Sequence, residues 1–375
     1  MFKLECLGAK HGDCLLIHYG DSSEPRFVLI DGGPGGVYSR FLRPRLKQLR
    51  SEHSDGAPLR VELGMVSHID DDHINGLLQL TDELIAQQIS LNDLVEFRAF
   101  WHNSFADITG GTETAAVFAA SNAITASLSA GGTAPFDVLR NSDGRAENIL
   151  ASINQGRRLR DNIKKLGLDG NRPFDGLVSS GREVDLRGDL KLTVIGPSQK
   201  RLEDLQREWN PALTAVNIAE FSDKSIANLS SIVVLAEFEG KTILFTGDAR
   251  GDHILEDLEE NDLLTNGVFE VDVLKVPHHG SDRNVTVDFF KAVPAKTYVI
   301  SGDGKHDNPE PEMFRMIRDA RAGDTGYTIV IVSPVTMEHS QKTAPFEQEL
   351  QALRDAGADI KFRDPDDLSI TVILA

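Results

Sequence analysis

Apolar and polar positions follow two different periodicities in the first part of the chain. Short apolar runs bounded by turn residues predict β-strands at FKLECLG, DCLLIHY, RFVLIDGG, VELGMVS and LVEFRAFW. Two longer segments repeat their apolar residues at helical spacing instead, and we expect helices at VYSRFLRPRLKQLRSE and INGLLQLTDELIAQQI.

The last half of the chain again alternates strand and helix patterns. Strands are predicted at DLKLTVIGP, LSSIVVLAEFEGKTILFTGD, VDVLKVPHHGS, AKTYVISGDG, YTIVIVS and LSITVIL, with helices at HILEDLEEND and PEMFRMIRDA. The dipeptide Glu239-Gly240 separates two apolar runs and predicts a hairpin. Strands interleaved with helices predict sheets covered by helices, an α/β or α+β layered fold.

The segment at about 104–185 has a different character. It is rich in small helix formers, and apolar residues at helical spacing occupy one face around Ile153, Leu159 and Ile163. We interpret it as a mainly helical insertion in a single domain that spans 1–375. Its basic cluster is either a solvated helix face or a contact for phosphate or an acidic partner; it consists of Arg157, Arg158, Arg160, Lys164 and Lys165.

Composition describes an ordinary globular protein. The chain has 375 residues, of which 40% are hydrophobic and 26% charged. We expect no membrane span and no signal peptide, because no apolar run is long enough and the N-terminus reads as a strand. Cys6 and Cys14 lie in apolar strand-like segments, so buried thiols are favoured over a disulfide or metal ligands, as suits the cytoplasm.

The formal net charge of −19 also restricts the function. Non-specific affinity for nucleic acid comes mostly from basic surface, so this charge argues against a protein coated with phosphate-binding lysines. A nuclease whose metal ions supply positive charge locally remains compatible with this charge.

The segment HIDDDH, residues 68–73, crowds acidic and imidazole side chains at the end of an apolar run. Adjacent carboxylates repel one another unless positive charge lies among them. His68 and Asp70 are two positions apart and point the same way on an extended segment, so both can bind one metal ion, whereas Asp72 and His73 can bind a second. Such mixed ligands suit zinc, manganese or iron, and the carboxylates favour harder ions such as Mn²⁺.

Further candidates follow other predicted strands. Asp31 lies in IDGG, Asp248 in TGD, and His278 with His279 in HHGS, while His102 ends the run LVEFRAFW. Strand ends beside glycine hold side chains rigidly and let the backbone approach a ligand closely.

Together these motifs resemble the metallo-β-lactamase fold superfamily, and more narrowly the hydrolase domain of the ComEC/Rec2 competence proteins. That branch is similar in using Asp where most of the superfamily has a second His, as at Asp70. The likeness covers most of 2–310 outside the insertion and includes GD at Gly12-Asp13, the serines before TGD at Ser230-Ser231, and IS-G at Ser301-Gly302. It implies a four-layer αββα sandwich with metal ions in a cleft at one edge.

The resemblance also implies a ligand set. His68 and Asp70 would hold a first metal ion, with His102 as an additional ligand because it is the only histidine between His73 and Asp248. The second ion would be held by Asp72, His73 and His279, with Asp248 bridging both ions.

Several further residues receive supporting roles or none. One of His278 and His279 is the ligand; His279 is favoured, which leaves His278 to touch substrate or donate a proton. Asp13 and Asp31 are expected to support the ligands, and Asp71 to be a bystander. Relatives commonly carry His-Pro after the IS-G strand, where this chain has Asn308. Substrate-side candidates are therefore Ser281, His306 and Asn308.

The implied activity is hydrolysis through two divalent ions, Mn²⁺ or Zn²⁺, that lower the pKa of a shared water. Asp72, Asp248 and His278 would be the catalytic residues, and DNA or another phosphodiester the substrate. One alternative is hydrolysis of a small diester, cyclic nucleotide or lactone, which the acidic charge favours. Another is a component of a bacterial defence or other multi-protein system, with the insertion as the partner surface.

Overall fold

The computed structural model describes residues 1–87, 94–108, 145–212 and 228–375. The predicted small-residue helix of the insertion, within 109–144, lies outside these residues. No helix among those described is long and apolar enough to cross a membrane.

The first of two sheets contains both ends of the chain. Its strands run in the order β15-β1-β2-β3-β4-β5, with β6 also paired to β4. β15, β1, β2 and β3 are antiparallel, whereas β4 is parallel to β3, β5 and β6. The strands are β1 (Phe2–Leu7), β2 (Leu15–Gly20), β3 (Pro25–Ile30), β4 (Leu59–Met65), β5 (Val95–Phe97), β6 (Phe100–Trp101) and β15 (Ser369–Ile373).

The second sheet follows sequence order from one edge to the other. β7 to β10 are antiparallel, and β10 to β14 are parallel. The strands are β7 (Arg182–Leu186), β8 (Leu190–Gly196), β9 (Val233–Phe238), β10 (Lys241–Phe245), β11 (Val271–Lys275), β12 (Ala295–Ile300), β13 (Thr328–Ile331) and β14 (Asp359–Phe362).

Helices cover the outer faces of both sheets. In the described residues they are α1 (Arg43–His53), α2 (Asp71–Gln87), α3 (Phe105–Ile108), α4 (Arg145–Lys165), α5 (Gln199–Ala212), α6 (Gly251–Glu260), α7 (Val287–Ala292), α8 (Pro311–Ala320) and α9 (Thr343–Asp355). α1, α2 and α4 pack on the first sheet, and α6 to α9 on the second.

The two-residue periodicity of the strands produces the layers. In β2, Leu15, Ile17 and Tyr19 point into the core between the sheets, while Leu16 points to the core under α1 and α2. In β9, Val234 belongs to the inner core and Val233 to the core under α6 to α9. Since the central strands of each sheet are buried on both faces, the chain forms the predicted four-layer αββα sandwich.

Two elements differ locally from the predicted ones, and a predicted hairpin is present. The helix expected from Val37 begins as a single π-helical turn at Tyr38–Leu42, and α1 starts at Arg43 with Pro44 in its first turn. The predicted strand LVEFRAFW is divided into β5 and β6. The hairpin at Glu239-Gly240 is confirmed, and both residues have the positive φ values that a tight turn requires.

Candidate metal centre

Four predicted site residues lie at the junction of β4 and α2. His68 and Asp70 are in the connecting loop, and Asp72 and His73 are in the first turn of α2, which begins at Asp71. The exposed backbone N–H groups of a helix N-terminus stabilise nearby carboxylates. This placement accommodates part of the acidic crowding in HIDDDH.

Two glycines let α2 lie against the loop that carries Asp31. A Cβ on Gly76 would lie 2.0 Å from the carbonyl oxygen of Gly32, and one on Gly32 would lie 2.2 Å from the backbone nitrogen of Leu77. No side chain fits in either place. Glycine at both positions therefore brings Asp31 up to His73.

Ligand atoms converge on one oxygen of the Asp248 carboxylate. His73 Nε2 lies 3.2 Å and His279 Nε2 3.4 Å from Asp248 Oδ1, and the two imidazole nitrogens are 3.1 Å apart. Asp72 Oδ2 lies 3.5 Å from His279 Nε2. We call these atoms of Asp72, His73, His279 and Asp248 the Oδ1 group.

A second set of atoms surrounds the other oxygen. His278 Nε2 lies 3.5 Å and His68 Nε2 3.8 Å from Asp248 Oδ2, and Asp70 Oδ2 lies 3.6 Å from His68 Nε2. We call these atoms of His68, Asp70, His278 and Asp248 the Oδ2 group. Asp248 therefore lies between two clusters of acid and imidazole ligands that come from distant parts of the chain.

The spacing of these atoms fits metal binding. Ligands about 2.0–2.1 Å from a tetrahedral ion are about 3.3 Å from one another. The separations in the Oδ1 group, 3.1 to 3.5 Å, bracket that distance. In addition, His68 Nε2 and Asp248 Oδ1 are buried without a hydrogen-bond partner in the described part of the chain, although buried polar atoms are normally paired.

Asp31 lies against the imidazole of His73. Its Oδ2 lies 2.9 Å from His73 Nδ1 and accepts a hydrogen bond of 2.7 Å from the Ser67 hydroxyl, while its Oδ1 accepts one from the Ser67 backbone N–H. A carboxylate against Nδ1 keeps a proton there, so Nε2, which faces Asp248, is the nitrogen that an ion would use. The structure thus puts Asp31 in contact with a predicted ligand.

A buried lysine that the sequence analysis did not select supports the same site. Lys275 at the end of β11 is 1% exposed, and its Nζ lies 2.8 Å from Asp13 Oδ2. The other oxygen of Asp13 accepts a hydrogen bond from the Ser301 hydroxyl, which lies 3.1 Å from His279 Nδ1. The sequence feature that indicates this role is a single lysine near the end of the apolar run VDVLKV, where a charged side chain needs a buried partner.

These contacts bear on whether Asp13 is a metal ligand or a supporting residue. One ligand atom each of Asp13, His73, Asp248 and His279 lies within 4.8 Å of the others, so Asp13 could in principle hold an ion. However, Lys275 and Ser301 already occupy its two oxygens. Asp13 is therefore linked to His279 through the Ser301 hydroxyl.

The clustered charges shift the pKa values in opposite directions. Burial alone would raise the pKa of Asp248, but His279, His278 and His73 hold it well below its usual range. Burial lowers the pKa of His73, yet Asp248 and Asp31 outweigh burial and raise that pKa well above its ordinary value. The pKa of His279 is also raised, by Asp248 and Asp13 against burial. The site thus attracts positive charge strongly.

The turn that carries both neighbouring histidines has an uncommon backbone. His278 has φ 47° and His279 has φ 53°, the left-handed region that residues with a Cβ rarely adopt. The backbone N–H of His278 donates to Gly247 O, which ties this turn to the turn that carries Asp248. Strain of this kind, about 1–3 kcal/mol per residue, clusters at functional sites.

Among the described residues, His102 makes no ion pair with Asp248 or with the other acids of the two groups. Its side chain is buried behind β6, with its ring 6.4 Å from that of Phe100, and its backbone is bonded on both sides to the Asn171 side chain. Both ring nitrogens lack a hydrogen-bond partner among the described residues, and burial lowers the pKa of His102 to about 4. Its role as a ligand stays a prediction.

The substrate-side candidates are more dispersed. Ser281, two residues after His279, is buried, and its backbone N–H donates to His278 O. His306 lies at the surface, 3.7 Å from Glu338. The backbone carbonyl of Asn308 accepts from Gly304, and Asp71 bonds to Gln155 at the outer surface.

Helix α4 of the predicted insertion packs directly on the HIDDDH loop. The Ser152 hydroxyl donates to Asp70 Oδ1 over 3.3 Å, and Gly156 lies against Ile69. Part of its basic cluster is paired within the molecule, because Arg158 binds Asp82 and Arg160 lies 3.9 Å from Asp107.

Comparisons with known proteins give only distant likenesses. No family model and no curated protein match the chain. Among solved structures, the metallo-β-lactamase fold protein YhfI from Bacillus subtilis shares 9% identity over 99% of this chain and 98% of its own, with a TM-score of 0.41. Tm1679, a metal-dependent hydrolase of the β-lactamase superfamily, shares 13% identity over all of both chains, with a TM-score of 0.40.

Human tRNase Z, short form, shares 11% identity over 100% of this chain and 99% of its own, with a TM-score of 0.35. Likeness at these levels carries no argument about this chain. The four-layer assignment therefore depends on the sheets and helices described above.

Proposed function

We propose that the protein is a metal-dependent hydrolase that cleaves phosphodiesters, with DNA as the leading substrate. The observation that carries the proposal is the convergence of two ligand groups on the two oxygens of Asp248. Such an arrangement is what a pair of divalent ions requires. The choice of phosphodiester and of DNA comes from the motif resemblance to the ComEC/Rec2 hydrolase domains.

In this proposal Asp72, His73 and His279 would hold one divalent ion, Mn²⁺ or Zn²⁺, and His68 and Asp70 would hold a second, with Asp248 shared between them. Ions bound there supply Lewis-acid activation of water and of a phosphoryl oxygen. Asp31 and the Asp13–Ser301 pair hold the imidazoles of His73 and His279 in place. The remaining predicted roles are His102 as a further ligand, and Asp72 and His278 as catalytic residues with Asp248.

The alternative substrate is a small diester, cyclic nucleotide or lactone. It is supported by the net charge of −19 and by the internal ion pairs of Arg158 and Arg160, which reduce the basic surface that a long nucleic acid would contact. Substituting Arg157, Arg158 and Lys164 by Gln should impair cleavage of long DNA and leave a small chromogenic diester unaffected if DNA is the substrate.

A further alternative is a partner-dependent component of a defence or other multi-protein system. The contact between Ser152 and Asp70 supports it, because a partner bound to α4 would act directly on the HIDDDH loop. The proposed compartment is the cytoplasm: Cys6 and Cys14 are free thiols on opposite faces of the first sheet, so they cannot pair.

The test is hydrolysis of DNA, RNA and small diesters with added Mn²⁺ or Zn²⁺, by the wild type and by Asp248→Ala. The variant should fall to the level of chelator-treated wild type while keeping its fold. Asp252→Ala is the matched control, since that exposed carboxylate accepts hydrogen bonds from the Arg250 side chain and from the backbone N–H of His253. Full activity in Asp248→Ala would refute the proposal.

A further inference from the structure

The two neighbouring histidines of HHGS point to opposite oxygens of one carboxylate. His278 Nε2 lies 3.5 Å from Asp248 Oδ2, and His279 Nε2 lies 3.4 Å from Asp248 Oδ1. Their ring centroids are 6.0 Å apart, and the ring planes are inclined by 83°. The left-handed φ of both residues produces this divergence. The geometry therefore lets both histidines serve as ligands, one in each group.

The hydrogen bonds of His278 determine where its proton lies. With the Asn284 amide oriented as it is in the structure, Nδ1 is 2.9 Å from Asn284 Oδ1, an atom that can only accept, and this orientation places the hydrogen on Nδ1. Asn228 Nδ2 makes a longer contact of 3.4 Å to the same Nδ1. Asn228 Oδ1 lacks a hydrogen-bond partner among the described residues. If the oxygen and nitrogen of the Asn228 amide are exchanged, its oxygen becomes a second acceptor for the hydrogen on His278 Nδ1.

With its proton on Nδ1, His278 directs the lone pair of Nε2 at Asp248 Oδ2. A lone pair and a carboxylate oxygen 3.5 Å apart repel each other unless a cation lies between them. His68 Nε2 lies 3.8 Å from the same oxygen, Asp248 Oδ2, and Asp70 Oδ2 lies 3.6 Å from His68 Nε2. These atoms provide the mixed nitrogen and carboxylate ligands of a transition-metal site.

We propose that His278 is a metal ligand and completes the Oδ2 group, in the place predicted for His102. This inference rests on the proposed function, because it concerns the ions that the hydrolase would bind. It replaces the predicted role of His278 as a substrate contact or proton donor. Asn284 then acts as the positioning residue that keeps Nε2 free of a proton.

The experiment measures Zn²⁺ binding at equilibrium by competition with a chromogenic chelator. We expect two Zn²⁺ per wild-type chain. His278→Gly removes the imidazole, and because glycine adopts the left-handed backbone readily, the variant should fold. Its affinity for one of the two Zn²⁺ ions should fall by at least about 100-fold. His278→Asn is a second variant, because asparagine also tolerates positive φ but adds less backbone flexibility than glycine. The same loss of affinity in His278→Asn would show that flexibility is not its cause.

Two further histidine variants serve as comparisons. His339→Ala is the matched control, since the exposed His339 pairs with Asp307 and not with an acid of either group, and it should bind both ions normally. His102→Ala should also bind both ions normally if His278 is the ligand. In the Zn²⁺-loaded wild type, the ¹⁵N spectrum of His278 should show Nδ1 protonated and Nε2 metal-bound.

The outcomes separate this inference from the proposed function. Wild type that binds no Zn²⁺ overturns both. Two ions in the wild type with unchanged affinities in His278→Gly, or a loss in His102→Ala alone, overturns the inference and leaves the hydrolase proposal in place. A doubly protonated His278 in the Zn²⁺-loaded protein would show an ion pair with Asp248 and would also overturn it.

Discussion

Lys275 Nζ lies 2.8 Å from Asp13 Oδ2, and both side chains are about 1% exposed. A buried charge without its partner is strongly destabilising. This ion pair therefore holds Asp13 beside Ser301 and His279. Removing it should change the free energy of unfolding, which can be measured without an activity assay.

We expect Lys275→Met to lower the free energy of unfolding by about 3–5 kcal/mol, because the Asp13 carboxylate is left buried and uncompensated. Chemical denaturation in the presence of a chelator measures this. Adding Asp13→Asn to the variant should restore much of the loss. Lys296→Met is the matched control: Lys296 pairs with Asp272 at the surface, and its loss should change stability little. Equal effects in both lysine variants would contradict the assignment.

Asp31→Asn should weaken Zn²⁺ binding by about 10–100-fold, because the amide holds the His73 tautomer less firmly than the carboxylate does. Chelator competition measures the affinity. Asp71→Asn is the control from the adjacent motif, since Asp71 bonds to Asn75 and Gln155 at the surface. If Asp31→Asn bound Zn²⁺ as tightly as the wild type, Asp31 would have no part in orienting His73.

The affinity for metal ions should keep increasing with pH even at pH values above the ordinary pKa of histidine. The pKa values of His73 and His279 are both raised, so protons compete with the ion until the pH exceeds those raised values. Zn²⁺ titrations between about pH 6 and about pH 8 should therefore show continuing tightening and proton release. Asp31→Asn should shift the profile to lower pH, because Asp31 contributes to the raised pKa of His73. A flat profile would contradict the description of the site.

Acid stability should depend on Glu5 in β1. Burial raises the pKa of Glu5, but hydrogen bonds from His18, Arg45 and Ser369 outweigh burial and hold it at about 2, below its ordinary 4.5. A lowered acid pKa stabilises the folded state above about pH 4.5, and that contribution is lost as the pH falls towards about 2.

The shift corresponds to about 3 kcal/mol of unfolding free energy. Glu5→Gln should therefore be less stable than the wild type at neutral pH and should converge with it in acid, which denaturation at a series of pH values measures. Glu96→Gln, at an exposed position of β5, should leave the pH profile unchanged. Parallel profiles for Glu5→Gln and the wild type would contradict this reading.

The layered fold could be predicted from the sequence because the apolar periodicity of a strand is a local property. The alternation in β2 and β9 assigns each side chain to one of two faces, and the tight turn at Glu239-Gly240 follows from its own residues. β14 was not predicted, because its DIKF segment is an exposed edge strand without a clear apolar pattern.

The sequence by itself determined which residue types gather around Asp248, because acid and imidazole motifs at strand ends reveal their chemistry locally. Only the tertiary structure decided how they divide between its two oxygens. His278 and His279 point apart because of their left-handed backbone, and Lys275 reaches Asp13 from another sheet. Both relations depend on dihedral angles and on contacts between distant segments, which no local pattern of residues encodes.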